Sequence, residues 1–155
     1  MYSGKPYPGF APFEAAEKER RLAVHTGISD YFALLGLRLV DLEPGYARME
    51  LPFRKVLTHS GGVVQGGLIT TLADSSIAHA AIAALESDTY RTTTLELKIN
   101  FIRPATGGSF TSHASLIHLG RRTAVGEAEI FDDAGKLVAK CMASQLLISR
   151  KEKQA

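Results

Sequence analysis

HSGGVVQGGLITTLADSSIAHAA, His59–Ala81, sets four glycines within seven residues ahead of a long run of small and apolar side chains. From about Gly66 to Leu85, Leu68, Leu72, Ile77, Ile82 and Leu85 stand among eight alanines and serines between Ala73 and Ala84, and the one acid in the run is Asp74. The spacing predicts a helix, and a helix that is small and apolar on nearly every face is meant to be enclosed. A buried carboxylate with no lysine or arginine beside it is costly, which makes Asp74 a candidate for chemistry rather than packing. The glycines suit the helix entrance. The first N–H groups of a helix lack intrahelical partners and sit at its positive end, where a carbonyl oxygen gaining negative charge is stabilised. Gly66 and Gly67 would let a substrate reach that backbone.

On either side of this run the periodicity is that of a sheet. "LRLVDLE", Pro44-Gly45 and "YARMELPF" read as two strands joined by a tight turn. After the helix, "TTTLELKINFI" alternates, with Leu95, Leu97, Ile99 and Phe101 expected on the buried face and Thr94, Glu96, Lys98 and Asn100 on the other. "SFTSHASLIHL", "TAVGEAEIF" and "KLVAKCMASQLLI" follow, separated by Gly120-Arg121 and "DDAGK", and make an antiparallel meander. Upstream, Ile28, Tyr31, Phe32 and Leu35 recur at helical spacing before Gly36, and "EAAEKERRLAVHT" is a peripheral helix at best. The expected class is α+β, a curved antiparallel sheet of about six strands wrapped around one long central helix, with short N-terminal helices. Its expected division is an N-terminal extension at 1–27, the main domain at 28–149 and a flexible tail at 150–155.

The 155 residues, 45% hydrophobic and 22% charged, suit one globular domain. The first thirty show no leader pattern and no apolar run is long enough to cross a bilayer, so the cytoplasm is the expected location. With a net charge of +2 and scattered lysine and arginine, nucleic acid is not an expected partner. The five histidines lack the close pairing with cysteine or acid that a zinc site needs, and Cys141, the one cysteine, reads as a buried structural thiol.

Taken together, "THSGG", "QGGLITTLADSS", "NFIRPA" and "GRRTAVGEAEIFDDAGKLVAK" resemble the hotdog-fold acyl-CoA thioesterases, in the phenylacetate-pathway-like branch that uses an aspartate. The resemblance spans roughly Leu34 to Ile148. It implies a homodimer or homotetramer with sites at the subunit interface, hydrolysing acyl-CoA without metal or redox cofactor. It further implies that Gly66 supplies an oxyanion-hole N–H and that Asp74 acts from the neighbouring subunit, as general base for water or as direct nucleophile. Thr94 matches the position whose hydroxyl helps hold the attacking water. Gln65 stands where the family usually has histidine, and His59 where it usually has asparagine, so a polar cluster is kept with donors and acceptors exchanged.

Arg103, Arg121 and Arg122 are candidates for the coenzyme A phosphates, because a guanidinium suits bidentate phosphate contacts. The glycines lack the endings and spacings of nucleotide-binding loops, and no acid is placed to orient His79 toward Ser75 or Ser76 as a nucleophilic pair. Two other functions stay open: a non-catalytic module that binds acyl-CoA or an acyl-carrier protein, and a hydratase or dehydratase in which His59 and Asp74 pair.

Overall fold

The computed structural model describes residues 4–26, 29–85 and 90–149. Ile28, the "ESDT" link at 86–89 and the tail at 150–155 lie outside them. Helices α1 (Ala15–Thr26) and α2 (Asp30–Leu35) lead into the hairpin of β1 (Arg38–Glu43) and β2 (Tyr46–Pro52). The central helix α3 (Gly66–Ala83) follows, and then β3 (Tyr90–Phe101), β4 (Ser109–Leu119), β5 (Thr123–Asp132) and β6 (Leu137–Ser149). All six strands form one antiparallel sheet in the order β1-β2-β4-β5-β6-β3. The expected α+β architecture is therefore present, with α3 against β1–β6. Among the described residues no helix is long and apolar enough to cross a membrane.

Local chemistry sets the elements. Gly45 takes φ +78° in the two-residue turn after Glu43, and a Cβ there would sit 2.5 Å from that of Tyr7, so only glycine fits. Gly36, also left-handed, ends α2 while its N–H and that of Leu37 satisfy the carbonyls of Ala33 and Phe32. Leu35 of α2 is buried and Phe32 packs on the core.

The inner face of the sheet is shaped to receive α3. One register row runs Ala47, Ala114, Ala128, Cys141 across four strands, and the next carries Leu116, Gly126 and Ala143. Small side chains there form a trough into which Ile69, Leu72 and Ile77, each at most 1% exposed, are pressed. A Cβ on Gly126 would lie 2.8 Å from Ile77 Cγ2. The helix is not enclosed all round, which corrects the expectation from its composition. Away from the trough Gly67 is exposed and Thr71, Ser75, Ala78 and Ile82 are half-buried, with Tyr31 of α2 meeting Thr71, while half-buried Asp74 stands at the border within reach of the sheet.

The second correction concerns β3. A bulge between Thr94 and Glu96 shifts the alternation by one residue. Leu95 thus turns out, 57% exposed, while Thr94 pairs with Gln145 and joins Leu97 and Ile99, opposite Ala143 and Cys141, on the face toward α3. Phe101 shares that face but lies at the end of the strand, 54% exposed.

Candidate active site

Two groups of candidate residues form along α3. The first surrounds its N-terminus. Gln65 has non-helical φ −54° and ψ 130°, and its carbonyl accepts from the N–H groups of Leu68 and Ile69. The N–H groups of Gly66 and Gly67 meet no acceptor among the described residues, as expected of a first helical turn. They are the donors an oxyanion would use. A Cβ on Gly66 would come within 3.2 Å of the Phe101 ring, whereas one on Gly67 would meet nothing within 4 Å. The space at Gly66 is therefore taken by Phe101 of the same chain, and the open approach is over Gly67.

Beside this turn lies a cavity of about 450 Å³, lined by His59, Gly66, Ile69, Phe101, Arg103 and Val138 among others. His59 is fixed by its own loop. Gly62 N–H donates to the His59 carbonyl and His59 N–H to Val63, closing a turn beneath the bridge between Thr58 and Val64. Gly61 N–H donates to His59 Nδ1 at 2.9 Å, which puts the proton of the neutral ring on Nε2. A Cβ on Gly61 would stand 2.8 Å from the ring, so glycine is what lets the imidazole fold back here. Arg103 Nη1 donates to the Leu137 carbonyl at 2.6 Å. Gln65 is exposed at the helix start and does not line the cavity.

The second group centres on Asp74, eight residues on and about 12 Å further along the helix axis. Thr94 Oγ1 donates to Asp74 Oδ1 at 2.7 Å, and Gln145 Nε2 donates to the same oxygen at 3.3 Å and to Thr94 Oγ1 at 3.1 Å. Gln145 is wholly buried on β6, and reading the sequence missed it. Its one signal there was position, since it falls on the inward phase of an otherwise apolar alternation. The bulge at Leu95 is what turns Thr94 toward this carboxylate.

The remaining candidates sit elsewhere. Arg121 and Arg122 line a separate polar hollow with Tyr90, Leu147 and Ser149. Leu147, which Arg122 holds through its carbonyl, belongs to the small cluster with Ala81 and Ala84 at the far end of α3. His79 is half-buried, bonded through Nδ1 to the Ser75 carbonyl at 2.7 Å, and the loss of water around its ring lowers its pKa. Ser76 Oγ donates to Leu72, so neither side chain is set up as a nucleophilic pair. Burial first, then the carboxylates of Asp74 and Glu96, push the Cys141 thiol up to about 12, leaving a structural thiol rather than a thiolate. No group of three or more histidine, cysteine, aspartate or glutamate side chains among the described residues is disposed to hold a metal.

Residues 61–139 match the family model of the thioesterase superfamily. A Saccharolobus solfataricus protein that carries an esterase name is 35% identical over 120 residues, 77% of this chain and 84% of its own. The 1,4-dihydroxy-2-naphthoyl-CoA hydrolase of Listeria monocytogenes is 28% identical over 109 residues, 69% of this chain and 88% of that one. In three dimensions the PaaI protein of the phenylacetic acid degradation operon of E. coli superposes with a TM-score of 0.77 over 84% of this chain and 92% of its own, at 21% identity, a likeness of fold.

Proposed function

Because this chain belongs to the thioesterase superfamily, in its hotdog-fold branch, we propose that it hydrolyses acyl-CoA thioesters to a free acid and coenzyme A in sites shared by two copies. The observation that carries the reading is the separation along α3. Along the axis of α3, Gly66 and Gly67 stand about 12 and 10.5 Å before Asp74 in one chain. A thioester carbon has to touch both ends of that chemistry at about 3 Å. Asp74 is nonetheless half-buried, at the border between the helix and the β3 edge of the sheet, where a second α3 could bring the complementary end. β3 supports the same arrangement, because this 12-residue strand without proline is a sheet edge whose far side meets no other described strand. The CoA ester as substrate class draws support from the name of the Listeria relative.

In the proposed step the helix terminus takes up the charge on the carbonyl oxygen. Asp74 removes a proton from water as the water oxygen bonds to the carbonyl carbon, the C–S bond breaks, and the coenzyme A thiolate leaves and takes up a proton. The variant of this step has Asp74 attack first, forming an anhydride that water then opens; hydroxylamine trapping of acylated Asp74 separates the two. Neither route draws on a metal or redox cofactor. His59 and Arg103 border the acyl-CoA at the Gly66 cavity, and Arg121 and Arg122 reach its phosphates from the other end of a paired helix.

The test is thiol release from aromatic, short, medium and long acyl-CoAs. Asp74→Asn is expected to lower kcat by roughly 10²–10⁴-fold. No thiol released from any ester, or an unchanged rate in the variant, would defeat the proposal. Tight acyl-CoA binding without turnover would make the chain a binding module instead.

A further inference from the structure

We propose that Gln145 is a positioning residue for Asp74: together with Thr94 it claims Oδ1 and leaves Oδ2 as the oxygen that meets water or substrate. The inference rests on the hydrolase reading but goes beyond it, to which carboxylate oxygen acts and what aims it.

Packing does not ask for an amide at this position. The inward row of β6 is otherwise Ala139, Cys141, Ala143 and Leu147, and Gln145 is 0% exposed among them. Burying an amide nitrogen is unfavourable unless its protons are bonded, and here the nitrogen is bonded to the two residues in question.

The protons can be assigned from chemistry. Thr94 has one hydroxyl proton and two acceptors in range: a charged carboxylate oxygen at 2.7 Å and the neutral Gln145 Oε1 at 3.4 Å. The shorter, charge-assisted bond takes it. Thr94 Oγ1 is then an acceptor toward Gln145, which requires the amide nitrogen on that side. A flipped amide would set Oε1 against Asp74 Oδ1 at 3.3 Å, oxygen facing oxygen, so the carboxylate itself fixes the orientation.

Two donors thus converge on Oδ1, and no described residue donates to Oδ2. The Thr94 proton is already committed, so Thr94 aims the acid, and contact with water falls to Oδ2. All three residues stand on regular elements, α3, β3 and β6, so Oδ1 is held by donors from two neighbouring strands.

The experiment measures kcat, KM and Tm for Gln145→Leu, Thr94→Val, Thr94→Ser and the Leu/Val double variant, beside Asp74→Asn. Gln145→Leu is expected to lower kcat about ten- to a hundred-fold with KM and Tm little changed. Thr94→Ser should restore what Thr94→Val loses. The double variant should lose less than the product of the singles, because both bonds serve one oxygen. Gln145→Met, which keeps the side-chain length, replaces the leucine variant if that one does not fold.

Wild-type kcat in a folded Gln145 variant, or losses that multiply, overturns the positioning role. Should Asp74→Asn keep full activity, it is the aspartate mechanism that fails. Whatever the turnover, the Gln145 carboxamide ¹H–¹⁵N signals should be slow to exchange in the wild type and should shift and exchange faster in Asp74→Ala; unchanged signals would also overturn the proposal.

Discussion

Replacing Gly126 by alanine adds one methyl where α3 lies closest to the sheet. The new carbon would stand 2.8 Å from Ile77 Cγ2 and 3.2 Å from the Ser115 carbonyl oxygen, with Leu116 Cδ2 at 3.5 Å. Ser115 O is backbone in the ladder between β2 and β4 and cannot yield, and Ile77 is fully buried, so the helix has to rise. Overpacking of this kind costs about 1–3 kcal/mol, partly offset by about 0.5–1 kcal/mol because alanine suits a strand better than glycine. Taken at mid-range, the net loss is about 1 kcal/mol, which in a chain of this size lowers Tm by roughly 2–4 °C. Since Ile77 follows Asp74 by one turn of helix, the same lift lengthens the bonds from Asp74 to Thr94 and Gln145, and kcat should fall with Tm. Ile77→Leu removes the offending β-methyl and should recover part of both losses in the double variant, read by calorimetry and thiol release. A Tm for Gly126→Ala at or above that of the wild type, or strict additivity with Ile77→Leu, refutes the argument.

Stability should also fall in acid. The pKa of His79 is lowered by burial, and that of half-buried His113 is lowered by burial and then by Arg48, so below the ordinary histidine value near 6.5 the unfolded chain binds more protons than the folded one. Stability contributed by the neutral rings is complete above that value and is lost as pH falls from it toward the lower folded values. Urea melts between pH 7.5 and 5.5 should show this decline, and His79→Leu should flatten it; a pH-independent midpoint contradicts it. Cys141, 1% exposed and held as a thiol, should resist iodoacetamide at pH 8 in the native protein and react in urea, as mass spectrometry would record.

Periodicity was enough to read the hairpin, the central helix and the meander, because burial on one face imprints a repeat of two or of 3.6 on the chain. It failed where one residue breaks the phase. Nothing in "TTTLELKINF" marks Leu95 as a bulge, since neither glycine nor proline stands there, and strict alternation therefore put Thr94 on the wrong face. Gln145 was invisible for a different reason. A polar residue at an inward position is explained only by its partners, and these lie 51 and 71 residues away in sequence. The helix composition, read as enclosure all round, described a surface seated in a trough of small residues, a half-buried surface away from it, and Asp74 at the border between them. Resemblance gave His59 and Gly66 as site residues, and guanidinium chemistry gave Arg103; the three line one cavity, and neither reading foresaw that Phe101 fills the space beside Gly66.

Among the described strands, β3 lies beside β6 alone. During synthesis on the ribosome, β3 leaves the exit tunnel with no neighbour to bond to and waits through β4 and β5 until residues 137–149 have emerged. Its row of threonines, leucine and isoleucine is exposed to chaperones and to other nascent chains for that interval, a hazard typical of contacts that close late. A chain stopped before Leu137 would lack both the strand that completes the sheet and the amide proposed to orient the acid, so premature termination there would remove shelter and chemistry in one event.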